Sequence, residues 1–303
     1  MEVDSVDIRI IGMLAKDCRI PFDRLGIKVG LSGPALRKRI RALFVKGVIA
    51  RYTLNFNPFL VGGSPVIVLM RVKQSTRMDS ILKSISERSR ITSASLLAND
   101  HYMIKTTCSS SNEIYMLERE IRAAPNIISY SLYPLQQFLK NSVRITKLQS
   151  EALKHLIKNP RMKYKELAGL INGTPKGVKK AIQRLVDNDA LRFSIECRLP
   201  MYLVMAKMQD DSKKLIDLTH KIWSFFPNIW DISLAPLDKV LFISFLVTSF
   251  EQIGLIHRSI RRIPLLQPIE MTLCLEIEYF DNDRVYVLEE LCRSRKLDLN
   301  FES

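Results

Sequence analysis

The sequence predicts an α+β chain of two tandem repeats. Each repeat is a three-helix head with a strand pair or wing, followed by a β-α-β-β-α-β unit, and a C-terminal helix closes the chain. Three observations carry this expectation. Apolar residues first recur at helical spacing and then gather in short strand-like runs. Capping and turn residues separate these segments. The whole pattern then returns 142 residues later.

The first head begins with a helix over 6–16, where Val6, Ile10, Ile11 and Leu14 share one face. A second short helix follows Pro21 and carries Phe22, Leu25 and Val29, and Gly30 marks the break after it. Ser32 is placed to cap a third helix, with Gly33 beside it and Pro34 in the first turn, where a missing N–H costs nothing. Leu36, Ile40 and Leu43 hold that helix on the core, which leaves Arg37, Lys38 and Arg41 on the outside and Arg39 close by. Gly47 ends the helix, and Val48–Asn55 reads as a strand pair or wing that carries Arg51. A helix placed in this way after a turn is the kind that enters a major groove. From Arg24 to Arg77 there are 11 basic residues and no acidic one, which favours a DNA-facing surface over an ordinary solvated helix face.

The next segment reads in turn as strand Val66–Val72, helix Met78–Arg88, strands Ile91–Ala98 and Tyr102–Cys108, helix Asn112–Ala123 and strand Ile127–Leu135. That order is the ferredoxin-like arrangement, a fold that hosts many functions and by itself implies none. Val66, Val68, Met70, Ile104 and Thr106 are expected on its open sheet face.

The second copy repeats the spacing. Leu153 and Leu156 stand for Ile11 and Leu14, Thr174 for Ser32, and Val178, Ile182 and Leu185 for Leu36, Ile40 and Leu43. Lys179 and Lys180 stand where Arg37 and Lys38 stand, with Lys176, Gln183 and Arg184 extending the polar face. This copy is more diverged: Ala181 replaces Arg39, and Asp189 replaces Gly47. Its α+β unit reads as strands Tyr202–Met208, Ile229–Ala235, Val240–Val247 and Glu270–Tyr279, with helices Lys213–Phe225 and Phe250–Arg261. Leu203, Met205, Phe242, Ser244 and Leu246 are expected on its open face. The expected domains are 1–60, 64–136, 145–198 and 200–280, with a C-terminal helix and tail over 281–303.

Composition narrows the partners. The net charge is +15 and hydrophobic residues make up 47% of the chain, so a globular protein with a polyanionic partner is expected, nucleic acid before an anionic membrane. The most apolar runs are far shorter than the roughly 20 residues a spanning helix needs. The N-terminus is acidic where a secretory leader is basic. The five cysteines form no CxxC pair, which fits a reducing, cytoplasmic (nucleoid-associated) setting. No histidine stands at metal-ligand spacing, and no phosphate loop, triad or nucleophile elbow is present. No metal, cofactor or catalytic residue is therefore expected: His220 is one of the four histidines away from metal-ligand spacing, Asp210 and Asp211 read as a helix N-terminal cap, and Trp223 and Trp230 as core residues.

The run Val6-Asp7-x-x-Ile10-Ile11-x-x-Leu14, Arg19-Ile20-x-Phe22-x-x-Leu25, Gly30-Leu31-Ser32-x-x-x-Leu36-x-x-Arg39-Ile40-x-x-Leu43, Gly47-Val48-Ile49-x-x-Tyr52 resembles the Lrp/AsnC family of regulators. The resemblance implies a winged helix-turn-helix joined to an effector-binding and oligomerisation domain. It also implies a transcription regulator that binds double-stranded DNA and answers to a small-molecule effector. Where that family usually has a glycine between the second and third strands, this chain reads Asn99-Asp100-His101, the candidate effector contact. The expected DNA contacts are Ser32, Gly33, Pro34, Arg37, Lys38, Arg41 and Arg51 in the first copy, and Lys176, Lys179, Lys180 and Gln183 in the second. Two other readings stay open. One is a sirohaem-decarboxylase-like enzyme sharing the fold, against which the scarcity of histidine and the basic helix speak. The other is a chromatin-like binder with no defined operator. Pairing through the α+β domains is expected either within one chain, as a pseudo-dimer, or between two chains.

Overall fold

The structure, a computed structural model, describes residues 3–73, 76–85, 90–98, 100–135, 143, 145–208, 222, 226 and 228–298. The expected helix Lys213–Phe225, with Trp223 and His220, falls almost wholly outside these residues, as do Asp210, Asp211, Asn99 and most of the linker.

The first head is α1 (Ser5–Lys16), α2 (Phe22–Val29) and α3 (Gly33–Val45), followed by β1 (Ile49–Phe56). Asp4 caps α1 in a two-way box: its carboxylate accepts from Asp7 N, and the Asp7 carboxylate accepts from Asp4 N. The second head is α6 (Lys147–Lys158), α7 (Tyr164–Leu170) and α8 (Pro175–Asp187), followed by β6 (Leu191–Cys197). Thr146 and Gln149 form the same box there, each 142 positions after its counterpart.

Neither wing forms a hairpin of its own. β1 pairs antiparallel with β6 of the other copy, from Ile49 opposite Cys197 to Phe56 opposite Leu191. The expected strand pair at 48–55 is thus a single strand whose partner comes from the other repeat. Thr53 faces Ser194 near the middle of this ribbon, so an approximate two-fold axis passes there.

The first α+β unit is β2 (Ser64–Val72), α4 (Met78–Ser84), β3 (Arg90–Leu97), β4 (His101–Cys108), α5 (Ser111–Ala123) and β5 (Ile127–Pro134). The second contributes β7 (Met201–Met208), β8 (Ile229–Ala235), β9 (Val240–Leu246), α9 (Phe250–Arg261) and β10 (Leu266–Tyr279), and α10 (Asn282–Asp298) ends the described chain. The two sheets join edge to edge through β3 and β10 into one sheet of order β5-β2-β4-β3-β10-β7-β9-β8. Each half has the strand order of a ferredoxin-like unit.

That long sheet folds back on itself. Tyr133 of β5 meets Phe242 of β9 edge-on, with ring centroids 5.1 Å apart, within the range aromatic pairs favour. Lys105 Nζ of β4 lies 2.6 Å from a carboxylate oxygen of Asp231 on β8. These strands are far apart in the sheet order, so the inner faces of the two halves meet.

Which residues form those inner faces corrects one expectation. Leu203, Met205, Phe242 and Leu246 do face inward. Val66, Val68, Met70 and Ile104 instead pack outward beneath α4 and α5, against Ile81, Leu117 and Ile121. Thr106 lies opposite Val66, and the inner residues of this half are Ile67, Leu69 and Met103. A shift of one residue along a strand exchanges its two faces. β2 is apolar on both sides because both are covered.

Candidate nucleic-acid interface

Local chemistry aims α3. Gly30 adopts φ 75° and accepts the reversal after α2, and Leu31 N donates to Gly26 O at 2.9 Å. A Cβ on Gly26 would lie 2.7 Å from Leu31 O, so the corner of the helix-turn-helix closes only over a bare backbone there. The Ser32 hydroxyl accepts from Ala35 N, with Pro34 in the first turn. Leu36, Ile40 and Leu43 are buried, and Ser32, Pro34, Arg37, Lys38 and Arg41 are exposed on the opposite side, with Gly33 half-buried. The Arg37 guanidinium lies back over the helix start, where a Cβ on Gly33 would come within 3.2 Å of it.

Arg39 does a different job. Its Nη1 donates to Asp4 at 2.7 Å and to Asp7 at 2.9 Å, tying α3 to the capping box of α1. The Asp7 side chain is only 3% exposed, so this pair sits at the edge of the core. The Asp4 carboxyl is held below its ordinary range, first by the Asp7 amide and then by Arg39, against the opposing effect of burial. In the second copy, where Ala181 replaces Arg39, the Gln149 amide donates to the Ala181 carbonyl at 2.8 Å. A neutral hydrogen bond thus stands where the first copy has an ion pair.

The second reading helix is capped by Thr174, whose hydroxyl accepts from Gly177 N at 3.1 Å. Lys176, Lys179, Lys180, Gln183 and Arg184 are exposed along it. The Gln183 amide donates to Asp187 at 2.9 Å.

Arg51 departs from expectation. It is not part of the α3 surface: Nε and Nη2 grip both oxygens of buried Glu196 at 2.8 and 3.0 Å, and Nη1 and Nη2 reach Asp281 at 2.7 Å. Glu196 and Asp281 also accept from Arg284. This bidentate network locks β1, β6 and the start of α10 together, because a buried carboxylate such as Glu196 must be paired.

The two heads grip each other through residues that sequence reasoning missed. Arg19 donates to the Pro160 and Met162 carbonyls, the latter at 2.8 Å, and its guanidinium lies 4.3 Å from the Tyr164 ring centroid. Arg161 donates to the Cys18 and Ile20 carbonyls and lies 4.2 Å from the Phe22 ring centroid. Arg161 is the repeat equivalent of Arg19, as Tyr164 is of Phe22, so the exchange obeys the two-fold axis. The repeat spacing was the signal that could have found it.

At the candidate effector turn, Asp100 adopts φ 60°, taking up the left-handed geometry for which a glycine would otherwise serve. His101 begins β4 opposite Arg71, and Asn99 lies outside the described residues. A cavity of about 620 Å³ lies between the sheets and the wing ribbon, lined among others by Ser93, Ser95, Lys105, Arg192, Asp231 and Trp230. Burial alone would push Asp231 up, but Lys105 overrides it and holds the carboxyl down at about 2. Among the described residues, no cluster of His, Cys, Asp and Glu could hold a metal ion, and no helix is long and apolar enough to cross a membrane.

Comparison with known proteins agrees with this geometry. The AsnC-type helix-turn-helix domain matches residues 3–43. The chain is 31% identical over 102 residues to the HTH-type transcriptional regulator LrpA of Pyrococcus horikoshii, covering 34% of this chain and 72% of that one. It is 28% identical over 134 residues to the HTH-type transcriptional regulator LrpB of Bacillus subtilis, covering 44% and 88%. Among solved structures, the siroheme decarboxylase NirDL matches 97% of this chain and all of its own length, with a TM-score of 0.52 and 15% identity, a likeness of fold alone. With its matched helix-turn-helix, its relatives and its paired α+β units, this chain belongs to the Lrp/AsnC family of helix-turn-helix transcriptional regulators.

Proposed function

We propose that the chain regulates transcription, and is not an enzyme, by setting α3 into the major groove of double-stranded DNA. One observation carries the reading. Arg37, Lys38 and Arg41 stand exposed on the outer face of a capped helix, and among the described residues none of them enters an ion pair. The neighbouring arginine that does pair, Arg39, is the one turned toward the core. An arginine fork fits guanine O6 and N7, and either cation fits phosphate. Lys176, Lys179, Lys180 and Gln183 form the corresponding surface of the second head. Ser32, Gly33 and Pro34 bring the start of α3 near phosphate, where the Gly33 N–H is the first-turn donor left over, since Pro34 has none and Ala35 N is held by the Ser32 hydroxyl.

We further propose that one chain is the working unit in the nucleoid, a pseudo-dimer closed by the β1–β6 ribbon and the β3–β10 seam. For effector contact at Asp100 and His101, the support is their place at the β3–β4 turn alone. Gel shifts and footprints on the protein's own promoter test the DNA reading. The R37A/K38A variant is expected to lose about 2–5 kcal/mol of specific binding, roughly 30- to 5,000-fold in affinity, and the wild type to weaken steeply with salt. Unchanged binding by the variant, with its fold intact, overturns the assignment. Light scattering near 34.9 kDa supports the single-chain unit, and about twice that mass, resisting dilution, counts against it. Incubation with sirohaem, followed by its visible spectrum, is expected to leave the tetrapyrrole unchanged.

A further inference from the structure

The two heads share one approximate two-fold axis but do not carry the same chemistry. The axis is drawn by the antiparallel ribbon and by the exchange of Arg19 and Arg161 across it. Reading helices related in this way face inverted half-sites on one DNA duplex. At equivalent positions α3 presents Arg37 and Arg41, whereas α8 presents Lys179 and Gln183. Lys38 and Lys180 match. Pro34 becomes Lys176, and Val45 becomes Asp187, to whose carboxylate the Gln183 amide is already donated at 2.9 Å.

These exchanges alter what each helix can read. Arginine presents a rigid planar fork that matches a guanine edge through two bonds. Lysine presents a compact, strongly hydrated point charge, well suited to phosphate and poor at telling bases apart. Glutamine can read adenine through two bonds, but Gln183 has one of its donors engaged by Asp187, which also sets a carboxylate toward a polyanion. At the matched outward positions the first helix therefore carries the equipment for base readout and the second the equipment for backbone attachment. The exposed arginine of α8, Arg184, lies in its last turn, where the first copy has Ala42, away from the helix start that reads base edges.

We propose that this chain recognises an unequal operator: a sequence-read half-site under α3, flanked on one side by a half-site that α8 holds through phosphates with little regard to sequence. Arg37 and Arg41 determine specificity, and Lys176, Lys179 and Lys180 supply affinity and extend the footprint. The proposal rests on the DNA-binding reading above. It adds a polarity to the operator that two identical heads could not give.

The test is selection of bound duplexes from a random-sequence pool with the full chain, followed by hydroxyl-radical footprinting on the winners. The expected result is one enriched half-motif without an inverted copy. The footprint should continue about one helical turn, roughly 10 bp, to one side over unselected sequence. R37A/R41A should lose the motif while keeping salt-sensitive binding. K179A/K180A should keep the motif, lose the flanking protection and flatten the slope of log K against log salt by about 2. All four positions are exposed, so these variants leave the core untouched. Enrichment of an inverted repeat with two equal halves overturns the proposal, as does a footprint confined to the motif. Failure to retain any duplex would instead overturn the DNA-binding reading itself.

Discussion

Replacing Arg39 with alanine tests how the first head is held together. The change removes Nη1, which donates to both Asp4 and Asp7 at 2.7 and 2.9 Å, and leaves the Asp7 carboxylate, only 3% exposed, with the Asp4 amide but without this counter-charge. Breaking a fully buried pair costs about 3–5 kcal/mol, and a fully exposed pair about 0–1 kcal/mol. Arg39 is 26% exposed and Asp4 is 44% exposed, so the cost is placed between these limits, at about 2–3 kcal/mol. Most of it comes from the uncompensated Asp7 charge and not from the exposed partner. The second copy supplies the control, because Gln149 with Ala181 performs the same tie without charge. The double variant D7Q/R39A is therefore expected to return to within about 1 kcal/mol of wild type, since replacing both members of a buried pair is often neutral. Urea unfolding followed by circular dichroism measures both. If R39A unfolds within about 0.5 kcal/mol of wild type, or if D7Q/R39A is no more stable than R39A, the uncompensated-carboxylate argument is wrong.

Three further outcomes are expected. G26A should destabilise the first head more than G30A: the new Cβ would press on Leu31 O at 2.7 Å, whereas at Gly30 it meets open space and costs only the strain of φ 75°, about 1 kcal/mol. Thermal unfolding of the two variants gives the order. Because the Asp4 carboxyl is lowered, by the Asp7 amide first and then by Arg39, its interactions contribute stability above the ordinary value of 3.8 and lose it as pH falls through the depressed folded value, so the smaller, Asp4 part of the R39A penalty should shrink in acid. The same sign holds for Asp231, whose contribution fades between 3.8 and about 2, and K105M should raise the titration of its carboxyl in carbon-detected NMR.

The helices and strands were legible because each carries a period. Leu36, Ile40 and Leu43 fix the inner face of α3 and thereby leave Arg37, Lys38 and Arg41 outside, as spacing alone indicates. Strand faces were less legible. β2 reads Ser-Pro-Val-Ile-Val-Leu-Met-Arg-Val, with no polar side to mark the solvent, so Val66 and Ile67 compete for the same role. Pairing between the repeats was not legible, since nothing within β1 specifies β6 and nothing within β3 specifies β10. Arg51 illustrates the limit: by sequence it is a basic residue in a wing, and only the fold brings Glu196 and Asp281 to it. Asp4, by contrast, was available as a signal, because an acidic residue three positions before Asp7 at a helix start is the pattern of a capping box.

The two seams between the repeats also govern how the chain acquires its shape on the ribosome. β3 pairs with β4 on one side and finds its second neighbour only in β10, with Leu97 opposite Cys274, while β1 finds its partner only in β6. Until the last part of the second repeat emerges, the first repeat carries two strand edges with their backbone groups unmatched. Pairings between such distant segments form slowly, and open edges invite any complementary strand nearby. The strand complementary to β3 in one nascent chain is present in every other copy, so crowded synthesis exposes this architecture to exchange of its second half between molecules. Joining two repeats in one chain secures a partner for every head, and in return leaves an interval during translation when that partner has not yet been made.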